Sequence, residues 1–357
     1  MPSLPAKDTA ADGASEDGGG LPAPSIDVVA VGNALVDVLA SATDDDLIRL
    51  GLVKGTMALV DLERSRTIYE AMGPTTEASG GSAANTAAGI AALGGRVAFL
   101  GRVADDALGQ AFVHDIRSAG VYFEPTPEPT GPDRMTGHCL VLVTEDAERT
   151  MATHLGVASD FSSIDLHKAH LTATQVVYLE GYLWEQPSAK AAMRDAIDMA
   201  HANNAAVALS LSDPFCVEHH QREFLDLLTG ELDLLFANEE ELTKLFGVSD
   251  TDAALQAAEE TGVLAAVTRG AAGCVVVTAQ GPVAVPAAPV DRVVDTTGAG
   301  DLFAAGFLYG ITNGIGPVEA ARLGGLCAAE VISHVGARPQ ADLRAVAADA
   351  GLLVGPG

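Results

Sequence analysis

Short apolar runs that end in glycine or a polar turn recur along this chain, with helix-length stretches between them. IDVVAVG (26–32), RVAFLG (96–101), QVVYLEG (175–181), AAVALSLS (205–212), LDLLFAN (232–238), AAVTRG (265–270) and GCVVVTA (273–279) are of this kind. A strand that is apolar at nearly every position is buried on both faces. Strands alternating with helices achieve this when a parallel sheet carries helices on each side. The intervening stretches fit. AANTAAGIAALG (83–94) is built of small residues and stops at glycine, and DALGQAFVHDIRSAG (106–120) is amphipathic and ends at Gly120. Two more helical stretches, 298–314 and 318–334, come late in the chain. The expected fold class is α/β, with a mainly parallel central sheet flanked by helices.

Two segments break the rhythm. HCLVLVT (138–144) and RTMATH (149–154) flank the polar turn EDAE and read as a hairpin. With TMALVD (56–61) they predict a small separate β-sheet, able to act as a lid, from segments near 35–61 and 137–155. Residues 1–24 are rich in Ala, Gly, Pro, Ser and Asp and read as a flexible leader, which leaves 25–350 as one catalytic domain. Only 4% of the residues are aromatic, so aliphatic side chains with many Ala and Gly must fill the core.

The formal charge of −28 argues against nucleic acid as a partner, because such a surface repels phosphate backbones. No apolar run approaches the length of a membrane span, and the leader lacks a signal-peptide core. Cys139, Cys216, Cys274 and Cys327 lie far apart, without the spacing of a disulfide or zinc framework. The histidines show no metal-ligand spacing either. The expectation is a cytoplasmic protein, monomeric or homodimeric, whose partner is a small molecule.

The chemistry concentrates in VVDTTGAGDLFAAGFLYG (293–310), where a Gly-rich turn opens a helix. Gly298, Ala299 and Gly300 present backbone N–H groups at a helix N-terminus, which is an anion site aided by the helix dipole. Asp301 follows in the first turn. A carboxylate there is explained either by helix capping or by proton work beside a transferring phosphoryl group. VVAVGNALVD (28–37) lacks the G-x-G-x-x-G of a dinucleotide site, and no G-x-x-x-x-G-K-[ST] exists for a P-loop.

DTTGAGDLFAAGF (295–307) resembles the C-terminal signature of the ribokinase-like, or PfkB-type, carbohydrate and nucleoside kinases. GGSAANTAAGIAALGG (80–95) with GRVADDALGQ (101–110) is similar to the family's N-terminal signature. LLFANEEEL (234–242) resembles its N-x-x-E element, and VTRGAAGCVV (267–276) its nucleotide-side turn. The resemblance runs from Ile26 to about Ala341 and implies an ATP-dependent kinase using Mg²⁺ and, in several relatives, K⁺. Within the family, GNALVDVLA (32–40), YLEGYLW (178–184) and LSLSDPF (209–215) look most like adenosine kinases. The implied reaction is phosphorylation of the 5′-hydroxyl of adenosine or a related purine nucleoside. A ribokinase- or fructokinase-type sugar kinase is the alternative within the family. A non-catalytic nucleoside or sugar sensor is the alternative outside enzymes.

The matched positions imply roles. Asp301 is the base, and Gly298, Ala299 and Gly300 form the anion turn. Arg149, expected in the hairpin turn, would swing onto the transferring phosphate. Asp37 and Asn85 would hydrogen-bond ribose-type hydroxyls, with Gly80 and Gly81 letting the backbone approach the sugar. Tyr182 and Trp184 would stack on a purine or else belong to the core. Asn238 and Glu241 would orient water on Mg²⁺, and the same pair is also a plain capping box. Thr268 and Gly270 would sit beside the nucleotide, with Arg269 near its phosphates or at the surface. Asp295 and Thr297 would help hold a monovalent cation.

Overall fold

The computed structural model describes residues 26–353, apart from 127, 129, 130, 132, 133 and 147; the expected leader lies outside the described residues. In chain order the strands are β1 (Ile26–Val31), β2 (Leu35–Ser41), β3 (Met57–Leu59), β4 (Thr76–Gly80), β5 (Val97–Leu100), β6 (Gly137–Val143) and β7 (Arg149–His154). They continue as β8 (Thr174–Glu180), β9 (Ala206–Ser210), β10 (Leu234–Asn238), β11 (Leu264–Thr268), β12 (Cys274–Thr278) and β13 (Gly281–Val285).

An eight-stranded sheet runs β13-β12-β11-β10-β9-β8-β1-β5. From β5 through β11 every pairing is parallel, and only β12 and β13 turn back antiparallel. The apolar runs explain this. β1, β5 and β8 are buried at every position, because helices cover both faces. One core layer packs Val29, Val177, Val207 and Val267 against the helix Pro187–Ala202. The other packs Val28, Phe99, Tyr178 and Phe236 against the helices Ser82–Ala92 and Ala299–Thr312. Phe236 and Phe307 meet edge to face at 5.5 Å in this second layer.

The smaller sheet is ordered β3-β7-β6-β2-β4. β6 and β7 form the expected antiparallel hairpin. β4, TEASG, went unrecognised in the sequence because it carries no apolar alternation; it is set by its antiparallel pairing to β2. Val38, Leu140, Leu142 and Ala152 fill one face of this sheet against Leu47 and Ile68. All four cysteines are buried and free. Among the described residues no helix is long and apolar enough to cross a membrane.

Candidate active site

In a parallel sheet all strands deliver their carboxyl ends to one edge, and ligands gather there. Here the residues at or just past the ends of β1, β8, β9, β10 and β11 meet one face of the small sheet around a cavity of about 560 Å³. Asp37, Asn85, Arg149, Tyr182, Asn238, Glu241, Thr268, Thr297, Gly298, Ala299, Gly300 and Asp301 all line it, although they come from distant parts of the chain.

The helix Ala299–Thr312 begins at Gly298, whose φ is 78°. A side chain there is excluded twice, by that backbone and by Ala337, whose Cβ would lie 2.8 Å away. The turn therefore brings backbone with little side-chain cover to the cavity wall, where Ala299 N–H already donates to Thr296 O at 3.3 Å. Asp301 sits in the first helical turn, and its carboxylate is held by side chains of another helix. Ser82 Oγ donates to Oδ1 at 2.7 Å and Asn85 Nδ2 donates to Oδ2 at 2.9 Å. The two helices approach closely because Gly89 has no Cβ to strike Leu302 and Ala305. Burial pushes the Asp301 carboxyl above its ordinary range, and the bonds from Ser82 and Asn85 and the charge of Arg338 only partly oppose it.

Asp37 points from β2 into the same cavity. Its carboxylate lies where a Cβ on Gly80 would be, 2.5 Å from the carboxyl carbon. Burial pushes Asp37 up to about 6 against the pull of Arg149 and Arg338. Asn85 gives its amide to Asp301, while its Oδ1 is buried without a protein partner. A buried acceptor left open in a cavity suits a donor from outside the protein. Gly81 turns the chain into the helix Ser82–Ala92 with φ 93°.

Asn238 and Glu241 form a full capping box. Asn238 N and Nδ2 donate to Glu241 at 2.9 and 2.7 Å, and Glu241 N returns a bond to Asn238 Oδ1 at 2.8 Å. Burial pushes Glu241 up to about 7. Among the described residues no group of three or more His, Cys, Asp or Glu side chains could hold a metal ion.

Several expectations need correction. Arg149 is the first residue of β7 rather than a turn residue, and it is buried in an ion pair with Asp295. Asp295 also accepts from Thr297 N at 3.0 Å and Gly336 N at 2.7 Å, so the carboxylate offered to a monovalent cation is already engaged. Trp184 is fully buried beside Phe224, with its indole N–H donated to Glu223 at 2.7 Å, and is a core residue. Phe215, 49% exposed, lines the cavity together with Tyr182. Arg269 pairs with Glu239 at 2.8 Å, and neither it nor Gly270 lines the cavity.

Three further residues escaped the sequence reading. Ser82 holds the candidate base. Glu180 is a buried carboxylate on the cavity wall. Arg338 donates Nε to Ser79 O at 3.3 Å and keeps a buried Nη2 without a protein partner, near the charges of Asp37 and Asp301. Burial lowers its guanidinium to about 10. Ser82 and Glu180 carried a signal, since they lie inside GGSAANT (80–86) and YLEGYLW (178–184), whereas Arg338 lies in no quoted motif.

A family model described as pfkB family carbohydrate kinase matches residues 55–343. An adenosine kinase from Saccharomyces cerevisiae is 30% identical over 335 residues, covering 87% of this chain and 95% of its own. The crystal structure of an adenosine kinase from Sinorhizobium meliloti aligns with a TM-score of 0.87 at 45% identity, covering 91% of this chain and 99% of that one. A probable sugar kinase protein from Rhizobium etli aligns with a TM-score of 0.89 at 42% identity, covering 92% and 100%.

Proposed function

The chain belongs to the pfkB carbohydrate kinase family and is an ATP-dependent kinase, and within that family we propose that its acceptor is the 5′-hydroxyl of adenosine or a related purine nucleoside. The observation that carries this reading is the composition of one cavity. It combines Asp37 and the open Asn85 Oδ1, which suit sugar hydroxyls, with the aromatic faces of Tyr182 and Phe215. Leu35, Met57 and Leu59 of the small sheet add apolar cover. A free sugar uses the polar part and leaves the aromatic part wet. The likeness to adenosine kinases supports the same choice.

In this reading Asp301 accepts the proton of the attacking hydroxyl. Ser82 and Asn85 hold one lone pair on each carboxylate oxygen and leave the others for substrate. The Gly298–Ala299–Gly300 turn faces the negative charge of the transferring phosphoryl group, with Ala299 N–H shared with Thr296 O. The small sheet acts as the lid that excludes water. Glu241 and Asn238 would orient water on Mg²⁺, which supplies charge neutralisation on the phosphates when bound. Thr268 stands on the nucleotide side of the cavity.

The test compares kcat/KM for adenosine, guanosine, inosine, ribose and fructose with ATP and Mg²⁺. Adenosine should exceed either free sugar at least tenfold. Base–aromatic stacking is worth about 1–3 kcal/mol, so Tyr182→Ala and Phe215→Ala should each raise KM for adenosine roughly tenfold and leave ribose turnover unchanged. A free sugar preferred tenfold over every nucleoside would make this a sugar kinase.

A further inference from the structure

Glu180 ends β8 and is 1% exposed, yet among the described residues no cation pairs with it. Burying a lone carboxylate is costly, and this one is compensated by N–H donors only. Oε1 accepts from Asn33 Nδ2 at 2.9 Å and from Asn33 N at 3.3 Å. Oε2 accepts from Ala83 N at 2.8 Å. Ala83 lies in the first turn of the helix Ser82–Ala92, and the N-cap of that helix is Gly81, which has no side chain to cap it. A helix N-terminus needs acceptors and favours negative charge. Glu180 supplies both from a neighbouring strand.

The placement has a consequence for the base. Ser82 precedes Ala83 and Asn85 follows it by two residues, and these are the two side chains that hold Asp301. One carboxylate fixes the helical turn that fixes the other. Asn33, its remaining partner, opens the loop that leads to Asp37 in β2. We propose that Glu180 is a positioning residue for phosphoryl transfer: it clamps the start of the Ser82–Ala92 helix so that Ser82 and Asn85 hold Asp301 against the acceptor hydroxyl. The proposal rests on Asp301 as the base. Burial pushes the Glu180 carboxyl itself up to about 7, and the nearby charge of Asp301 adds to that.

The experiment is Glu180→Gln in the full chain, assayed beside Asp301→Asn and the double variant. Glutamine keeps the volume but sets an NH₂ group against N–H donors, so one bond to Asn33 or Ala83 is lost. The expected result is a kcat ten- to a hundredfold lower with a KM for ATP within threefold of the unaltered enzyme. In the Asp301→Asn background the same change should cost nothing further, because neighbours acting through one group do not add. A folded Glu180→Gln enzyme with unaltered kcat would overturn the proposal. So would an undiminished loss in the Asp301→Asn background. Should Glu180→Gln not fold, Glu180→Asp takes its place: the carboxyl group remains but its reach to Ala83 shortens, so kcat falls while KM for ATP stays within threefold. An unchanged kcat there would also overturn it. Normal turnover by Asp301→Asn alone would instead remove the base assignment on which the proposal stands.

Discussion

Arg149 of the small sheet is ion-paired to Asp295, which lies three residues before the anion turn. Both side chains are buried, and Asp295 is tied at the same time to Thr297 N and Gly336 N. A single pair thus joins the lid, the approach to the Asp301 helix and the loop after the helix Pro317–Val331.

Removing one partner of a buried pair leaves the other charge uncompensated, at a cost of about 3–5 kcal/mol. Arg149→Met should therefore lower stability by roughly that amount in urea unfolding. Arg149→Met combined with Asp295→Asn should recover most of it. If Arg149 also reaches the phosphate, the double variant stays slow despite its recovered stability. Unfolding midpoints that do not move would mean the pair contributes nothing.

Asp301→Asn should lower kcat by about 10²–10⁴, the range for loss of a general base. Ser82→Ala removes one hydrogen bond to that carboxylate and should cost less, about tenfold, since bonds to charged groups are worth about 1.5–3 kcal/mol. Near-normal turnover in single-turnover assays of Asp301→Asn would end the assignment.

The two carboxylates predict a pH dependence with a definite sign. Burial pushes Asp37 up to about 6, and its ionised form, acceptor-only on both oxygens, receives two neighbouring hydroxyls better than the protonated form, which turns one oxygen into a donor. KM for the nucleoside should therefore rise as pH falls from 7 to 5. Asp37→Asn should show a high KM that no longer varies across this window. It should also lose the preference for adenosine over 2′-deoxyadenosine. A KM that stays level with pH in the unaltered enzyme would count against Asp37 as the diol reader.

Glu241 gives a stability counterpart. Its folded value, about 7, lies above the ordinary 4.5, so the folded state retains a proton that the unfolded chain releases. Stability from this group is fully present below about 4.5 and is lost as pH rises to 7, by on the order of 3 kcal/mol. Glu241→Gln should flatten the fall in Tm over this range. Parallel Tm curves for the two proteins would show that Glu241 does not titrate this way.

The fold was legible because buried parallel strands read as apolar runs, and β1, β5 and β8 are buried at every position. The anion turn was legible because its glycines and Asp301 are contiguous. What escaped depends on distance along the chain. Arg149 and Asp295 are 146 positions apart, and Glu180 and Ala83 are 97 apart, so neither link leaves a local pattern. β4 escaped because an edge strand of Thr, Glu, Ala, Ser and Gly is defined by its partner alone. Trp184 and Tyr182 are two residues apart and equally aromatic. Which one reaches the cavity is decided by the turn after β8, where Tyr182 N–H and OH bond to Ser212 and Trp184 is directed inward.

Ala337 packs on Gly298, and Gly336 holds Asp295. During synthesis the whole eight-stranded sheet, down to Val285, leaves the ribosome before any of these residues does. The strands and the helix bearing Ser82 and Asn85 are therefore made while both the phosphate cradle and the helix Ala299–Thr312 that covers one face of the sheet are still missing. Phosphotransfer switches on only once the segment through Arg338 has emerged and folded back onto the turn. An incomplete chain stalled before that point would lack the segment that packs on the turn, and with it the means of consuming ATP.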